Sequence, residues 1–457
     1  MHTINRLFFL VVLFVASSPA WAGHSYDLEG IINRALEANW GMIDAQEGVQ
    51  RAGLRIEAAE SEFELKFFPV AGIGLAGEDG SSDVVFSMGF RLEKITEFGT
   101  QIELTPSVQR SDDQYRNRAN LRITQPLLRG AGRDYTLSGV YSARFGERTA
   151  MRARHQREID TVVDAVRYGY EVVRQRELLR LREESYQRLK DLAEATDIKK
   201  RMGLVDAMDL FRVRIQLAQA VEERNRSLEM YTEALDSLKI FLALPLDEAI
   251  DVSLPMTFDR LYPDEAGMVQ TALANRIELE QIRDALAEAR RLSDRAGSDT
   301  LPELDIRFSL SQAGEPSSHF PGSTPDQTTW SVSLGSTTDF RRTAQKALYE
   351  ESVISVGQAA RRHRIAKDEI AAQVKREIRS LERLDKAITN QEEQIHQARG
   401  QLELARVKFE HGMADNFDLI DAEIALRRSQ TQLVSAVIEY IVGQYRLRAV
   451  IGMLVHR

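Results

Sequence analysis

The 457-residue sequence has no cysteine. That excludes disulfides, cysteine metal sites and thiol catalysis. Histidine is also scarce, at eight residues, and these are scattered. None forms an H-E-x-x-H motif, and G-x-S-x-G and P-loop signatures are missing as well. His363, His396 and His411 lie in or at the end of helical, charge-rich stretches that suit solvent better than a metal. No catalytic residue, cofactor or metal site is expected, and the chain does not read as an enzyme. There is no block rich in lysine and arginine, and the net charge is −9, which argues against nucleic acid as a partner. Beyond the N-terminus no stretch reaches the ~18 apolar residues of a transmembrane helix. If the chain spans a membrane, it must do so as a β-barrel.

What is present begins with an export signal. Arg6 precedes an apolar run from Leu7 to Val15, and Ser17 to Ala22 ends in an A-x-A-like site. Residues 1–22 therefore read as a signal peptide, too short for a span, with Gly23 starting the mature chain. Its removal takes one arginine and no acid, so the charge becomes −9 − 1 = −10.

Length alone suggests about three domains, but an internal repeat argues for one duplicated body. Lys199, Gly203, Asp206, Asp209, Leu210, Ile215 and Leu217 recur as Lys408, Gly412, Asp415, Asp418, Leu419, Ile424 and Leu426. The offset, 412 − 203 = 209, holds without a gap. In each copy the glycine suits a left-handed helix end, and the aspartate three residues on suits the cap of the next helix. Each stretch is predicted to be a long helix, a tight turn and a returning helix.

The surrounding pattern agrees. Proline is absent from about 135 to 202 and from about 341 to 411. Apolar stripes such as Ile159, Val162, Val166, Tyr170 and Val173 run along these segments. Nearly 70 helical residues would extend roughly 100 Å, and spacing near 3.5 calls for coiling against partner helices. Shorter helices are predicted from Leu28, with Asp27 as cap, to about Glu64, and from about Asp264 to Arg295.

Between the helices the period changes to two. Phe86, Met88, Phe90 and Leu92 alternate with Ser87, Gly89 and Arg91. Ile102 and Leu104, then Leu121 and Ile123, alternate with polar residues, and Val70 to Leu75 forms a weaker run. In the second half Leu304 to Leu310 and Trp330 to Leu334 do the same. Polar loops are expected at Gly77–Asp83, Arg110–Arg118 and Ala313–Gln327. Strands apolar on one face and polar on the other suit a barrel with a wet lumen, and equally a soluble antiparallel sheet with one exposed face. Phe68, Phe86, Phe90 and Trp330, if they face outward, favour the barrel. The G-x-G-x-x-G match at Gly72–Gly77 lacks the following helix that a dinucleotide site requires.

The resulting layout is mainly α with a β portion. A first repeat spans 23–250, with strands about 68–126 and a helical hairpin about 135–244. A linker follows at 251–263. A second repeat spans 264–457, with strands about 303–336 and a hairpin about 341–454.

With this order in hand, the sequence resembles the outer-membrane efflux protein family, to which TolC-like outer membrane factors belong. The residues that carry the resemblance are G-x-x-x-x-x-D-L at both turns (Gly203 to Leu210, Gly412 to Leu419), the segment Gln125-Pro126-Leu127-Leu128-Arg129-Gly130, the duplicated order and the signal peptide. The resemblance implies a homotrimer whose strands close one transmembrane β-barrel in the outer membrane of a Gram-negative bacterium, against lipid. Its helices would form an α-barrel duct across the periplasm, with no chemistry of its own. It implies a periplasmic adaptor protein and an inner-membrane transporter as partners, in efflux or type I secretion. Gly203, Leu204, Val205, Gly412, Met413 and Ala414 match the adaptor-facing turns. Asp418 and Asp421 match positions that constrict the pore. Asp209 matches Asp418, whereas Arg212 stands where Asp421 stands and is placed to pair with an acid. For Asp209 and Asp418 an ordinary first-turn helix acid is the competing reading. The family supplies four barrel strands per protomer, and the alternation here allows six, with 83–109 as an additional hairpin. The reading outside the family is a periplasmic coiled-coil scaffold without a pore.

Overall fold

The computed structural model describes residues 24–455, apart from 79, 80, 112, 323, 325 and 412. The signal peptide, residues 1–22, and Gly412 lie outside the described residues. Elements follow the order β1 His24–Tyr26, α1 Leu28–Ala38, α2 Trp40–Glu60, β2 Lys66–Glu78, β3 Ser81–Ile95, β4 Gln101–Ser111, β5 Gln114–Pro126, α3 Arg133–Thr136, α4 Ser138–Arg201 and α5 Ala207–Phe241. They continue with β6 Ile250–Val252, α6 Glu265–Asn275, α7 Ile277–Asp299, β7 Asp305–Ala313, β8 Gln327–Gly335, α8 Thr343–Glu410 and α9 Asn416–Val450. Short helices, strands, a long helix, a turn and a returning helix therefore occur twice. No described helix is long and apolar enough to cross a membrane.

The residues group into two compact units, each drawn from both halves of the chain. The first comprises residues up to Asn39, Asp164–Asp259 and Leu384–Val442. Asp27 caps α1, its carboxylate accepting from the Gly30 N–H at 2.8 Å. The core interleaves Leu189 and Leu192 of α4, Val213 and Ala220 of α5, Phe409 of α8 and Ile420 of α9. Such stripes bury against one another because no helix of this polarity can shield its apolar face alone. The segment expected as a linker is anchored. Its start pairs as β6 in parallel with β1, from His24↔Ile250 to Tyr26↔Val252. Tyr170 donates its hydroxyl to the Pro255 carbonyl at 3.0 Å, and Arg176 donates to the Val252 carbonyl at 2.7 Å. Phe258 packs on buried Tyr440, ring centroids 4.8 Å apart.

The second unit comprises Trp40–Val163, Arg260–Arg383 and the residues from Gly443. Its helices are tied by arginine. Arg152 on α4 donates to Asp284 (2.6 Å) and Gln281 (3.0 Å) on α7. Arg291 on α7 donates to Ser138 and Ser142 on α4, both at 2.7 Å. The predicted helices split where the structure bends: 28–64 becomes α1, α2 and a 3-10 turn at Ser61–Phe63, and 264–295 becomes α6 and α7.

The strands of this unit form one six-stranded sheet in the order β2-β3-β4-β5-β7-β8, antiparallel throughout. The two first-half polar loops are narrower than expected. β2 continues to Glu78 and β3 begins at Ser81, while β4 continues to Ser111 and β5 begins at Gln114. Polar residues near strand tips still complete the ladder, since hydrogen bonding is a property of the backbone. At Gly89 on β3 a Cβ would meet the Pro106 carbonyl oxygen on β4 at 2.3 Å, so only glycine fits that approach.

Candidate functional site

The residues singled out from the sequence fall in two regions, one in each unit. In the first, Gly203 ends α4 with φ +74°. The Gly203 N–H donates to the Lys200 carbonyl (3.0 Å) and the Leu204 N–H to the Lys199 carbonyl (2.9 Å). These are the paired bonds of a Schellman helix end. Asp206 then caps α5 by accepting from the Ala207 N–H. The second turn repeats the chemistry. The Met413 N–H donates to the Lys408 carbonyl at 2.8 Å, and Asp415 accepts from the Phe417 and Asp418 N–H groups at 2.9 and 3.2 Å. Around the turns Leu204 and Met413 are 66% and 69% exposed, Val205 and Ala414 are half-buried, and Met202, Met208, Phe211 and Phe417 are exposed. Both turns thus carry exposed apolar side chains.

The acids behind the turns differ between the copies. Asp209 is partnered by Arg212, three residues on, at 3.5 Å. Asp418 and Asp421 are exposed on α9, and among the described residues neither has an ion-pair partner. Their spacing of three puts them on one helix face, where like charges repel unless a cation or a proton intervenes.

Sequence reasoning missed a polar network inside the helical core. Arg188 on α4 donates to both carboxylate oxygens of Glu423 on α9, at 2.8 to 2.9 Å. The Glu423 side chain is 7% exposed. Glu223 on α5 accepts from Arg182 on α4 (2.6 Å) and from Arg427 on α9. Burial and the nearby Arg427 charge lower the Arg182 pKa, against the pull of Glu223. Asn416, also buried, accepts from Thr196 and donates to the Asp209 carbonyl, both at 3.4 Å. Lys199 Nζ donates to the Phe409 carbonyl (2.7 Å) and sits 3.7 Å from the centre of that ring. The signal was in the stripe of α9: Asn416 and Glu423 stand in register with buried Ile420 and Leu426. A polar residue in an apolar stripe marks a position that fixes helix register.

In the second unit the ladder registers sort every side chain of the sheet onto one of two faces. One face is apolar across all strands: Ile73 and Leu75, Phe86 and Met88, Ile102 and Leu104, Leu121 and Ile123, Phe308 and Leu310, Trp330 and Val332. Leu75 is 78% exposed and Trp330 71%. The opposite face carries Glu93, Glu103, Arg118, Arg122, Arg307 and Ser331. There Arg122 meets Glu103 at 3.3 Å and Arg307 meets Asp305 at 3.0 Å. A recess of about 1000 Å³ at this face is lined by Glu93, Glu103, Arg122 and Arg307, among others. Phe86, Phe90 and Trp330 lie on the apolar face as expected. Phe68 does not: it pairs with Arg91 on the polar face, and Phe67 takes the apolar side. The strand period is two, so one position of register reverses the face.

A sheet with one apolar face and two long helical hairpins make up a fold that is similar to solved structures. CmeC of Campylobacter jejuni, described as an outer membrane channel, superposes with a TM-score of 0.73 at 15% identity over 93% of this chain and 86% of its own. VceC, an outer membrane protein of Vibrio cholerae, gives 0.72 at 13% identity over 93% and 96%. The open state of the MtrE outer membrane channel of Neisseria gonorrhoeae gives 0.69 at 15% identity over 93% and 89%. At these identities the likeness establishes the fold. No curated protein sequence matches the chain. In sequence, residues 268–453 match the model of the outer membrane efflux protein family.

Proposed function

We propose that this protein is the outer-membrane channel of a tripartite efflux or type I secretion system. Three copies form a passive exit duct, and export energy comes from an inner-membrane transporter. The observation that carries the reading is the apolar band that crosses one face of the sheet on all six strands, opposite a face that carries charged residues. A soluble scaffold would leave that surface in water, at roughly 25 cal/mol for each Å². Lipid is the solvent that fits it.

The remaining assignments follow from this duct. Residues 1–22 direct export, and the mature chain is one body duplicated as 23–250 and 264–457, joined at 251–263. The exposed apolar turns, with Gly203, Leu204, Val205, Gly412, Met413 and Ala414, meet a periplasmic adaptor. Asp418 and Asp421, unpaired in each copy, form rings of negative charge that constrict the pore and favour cations. Asp209, neutralised by Arg212, contributes less.

Planar-bilayer recording of the wild type and of Asp418→Ala/Asp421→Ala tests both levels. A small, cation-selective conductance that rises several-fold in the double variant is expected. Conductance indifferent to the substitutions removes the gate and keeps the duct. Protein that stays soluble without detergent and never inserts overturns the duct.

A further inference from the structure

We propose that the hairpin β3–β4 is part of the membrane wall, so that each copy contributes six strands and three copies close an eighteen-stranded barrel; this rests on the trimeric duct proposed above. Four strands per copy would give twelve.

The first support is placement. β3 pairs with β2 along the whole of β2, from Lys66↔Glu93 to Glu78↔Ser81. β4 pairs with β5 along its full length, from Gln101↔Thr124 to Ser111↔Gln114. The hairpin thus lies side by side with the other strands rather than beyond their tips. Removing it would leave β2 without its only neighbour in the sheet.

The second is chemistry. One row of the apolar face crosses all six strands as Phe67, Leu92, Leu104, Leu121, Leu310 and Trp330. The added strands present lipid-compatible residues at the same level as the others. On β3 the apolar positions run from Val84 to Leu92, eight steps, or about 26 Å at ~3.3 Å each. That matches the ~25 Å apolar band of a transmembrane barrel.

The third is stagger. The middle of the apolar run is Met88 on β3 and Val332 on β8. The row through Val332 passes Phe308, Ile123 and Ile102 and reaches β3 at Lys94. Lys94 is 94 − 88 = 6 positions from Met88. The same six-position offset applies from β2, since Ala71 is level with Met88. Across the five spacings from β2 to β8 the band therefore descends about 20 Å over about 24 Å. Strands tilted by about 40° produce this slope, inside the range of membrane barrels. A soluble sheet has no reason to move its apolar band obliquely across the strands.

Eighteen strands at ~4.8 Å spacing and that tilt close at a backbone diameter of about 36 Å, against about 24 Å for twelve. The two free edges, β2 and β8, are the surfaces that meet between copies.

The cysteine-free chain permits a direct test. Single cysteines replace Met88, Ser87, Phe308 and Ser309 in the full-length protein in lipid vesicles, each carrying a fluorophore. Brominated lipid is expected to quench the probe at 88 and 308 and to spare 87 and 309. Particles of the purified protein imaged down the axis should show a wall near 36 Å. Alternation at 308 and 309 without alternation at 87 and 88, or a wall near 24 Å, overturns the six-strand wall and leaves the duct intact. Alternation at neither pair overturns the duct as well.

Discussion

Glu423 keeps its carboxylate where little water reaches it, and Arg188 is the group that makes this tolerable. Breaking a fully buried ion pair from one side costs ~3–5 kcal/mol. Arg188 is 39% exposed, so water screens part of that, and Arg188→Met is expected to cost about 1–3 kcal/mol. The double variant Arg188→Met/Glu423→Leu should recover most of the loss, because no charge is then stranded; denaturant unfolding followed by helix signal reads both. Glu288 supplies a pH test. Its pKa is held below the usual carboxylate range, first by the hydrogen bond from Arg291, with help from Ser142 and against the opposing effect of burial. A depressed folded pKa means stability that is present above the unfolded value of ~4.3 and fades as pH falls through it towards the folded value. Glu288→Gln should flatten that acid limb of a melting-temperature profile while changing little in its slope above pH ~6.

Among elements, the turns were the most legible. Glycine followed three residues later by aspartate carries its own geometry, and the structure places a Schellman bond pattern at 203 and the matching Met413–Lys408 bond at the second copy. Gly203→Val forces a branched residue to φ +74°. It should cost at least ~1–2 kcal/mol locally and appear as faster amide exchange or proteolysis at the turn. Strand existence was equally legible from the period of two, and strand ends were not. Polar tips such as Ser111 and Gln114 read as loop, yet they continue the ladder. The β1–β6 pair was invisible because three-residue strands have no period and their partner is remote in the chain. The Arg188–Glu423 and Glu223 contacts were hidden for a related reason: a helical stripe shows that a residue faces a neighbour, never which residue on which helix. In the sheet, Gly89→Val would drive a side chain into the Pro106 carbonyl. The expected result is loss of barrel assembly with the helical signal retained, read by heat-modified gel mobility beside circular dichroism.

At the scale of the whole molecule, the sheet ends in two free edges with an apolar face between them. In the proposed trimer the two edges would pair between copies, which would satisfy the backbone groups left open at each. The polar face, which would line such a barrel, is uneven. β5 sends Arg116, Arg118 and Arg122 to the polar face, while β2 and β3 send Gly72, Gly74, Ser87 and Gly89. In the proposed barrel this would set an arginine-bearing strip on β5 beside a glycine-rich patch on β2 and β3, bounded by Phe68, Arg91 and Glu93. An anionic solute would be guided down the arginine tracks, and a bulky neutral one would find its clearance over the glycines.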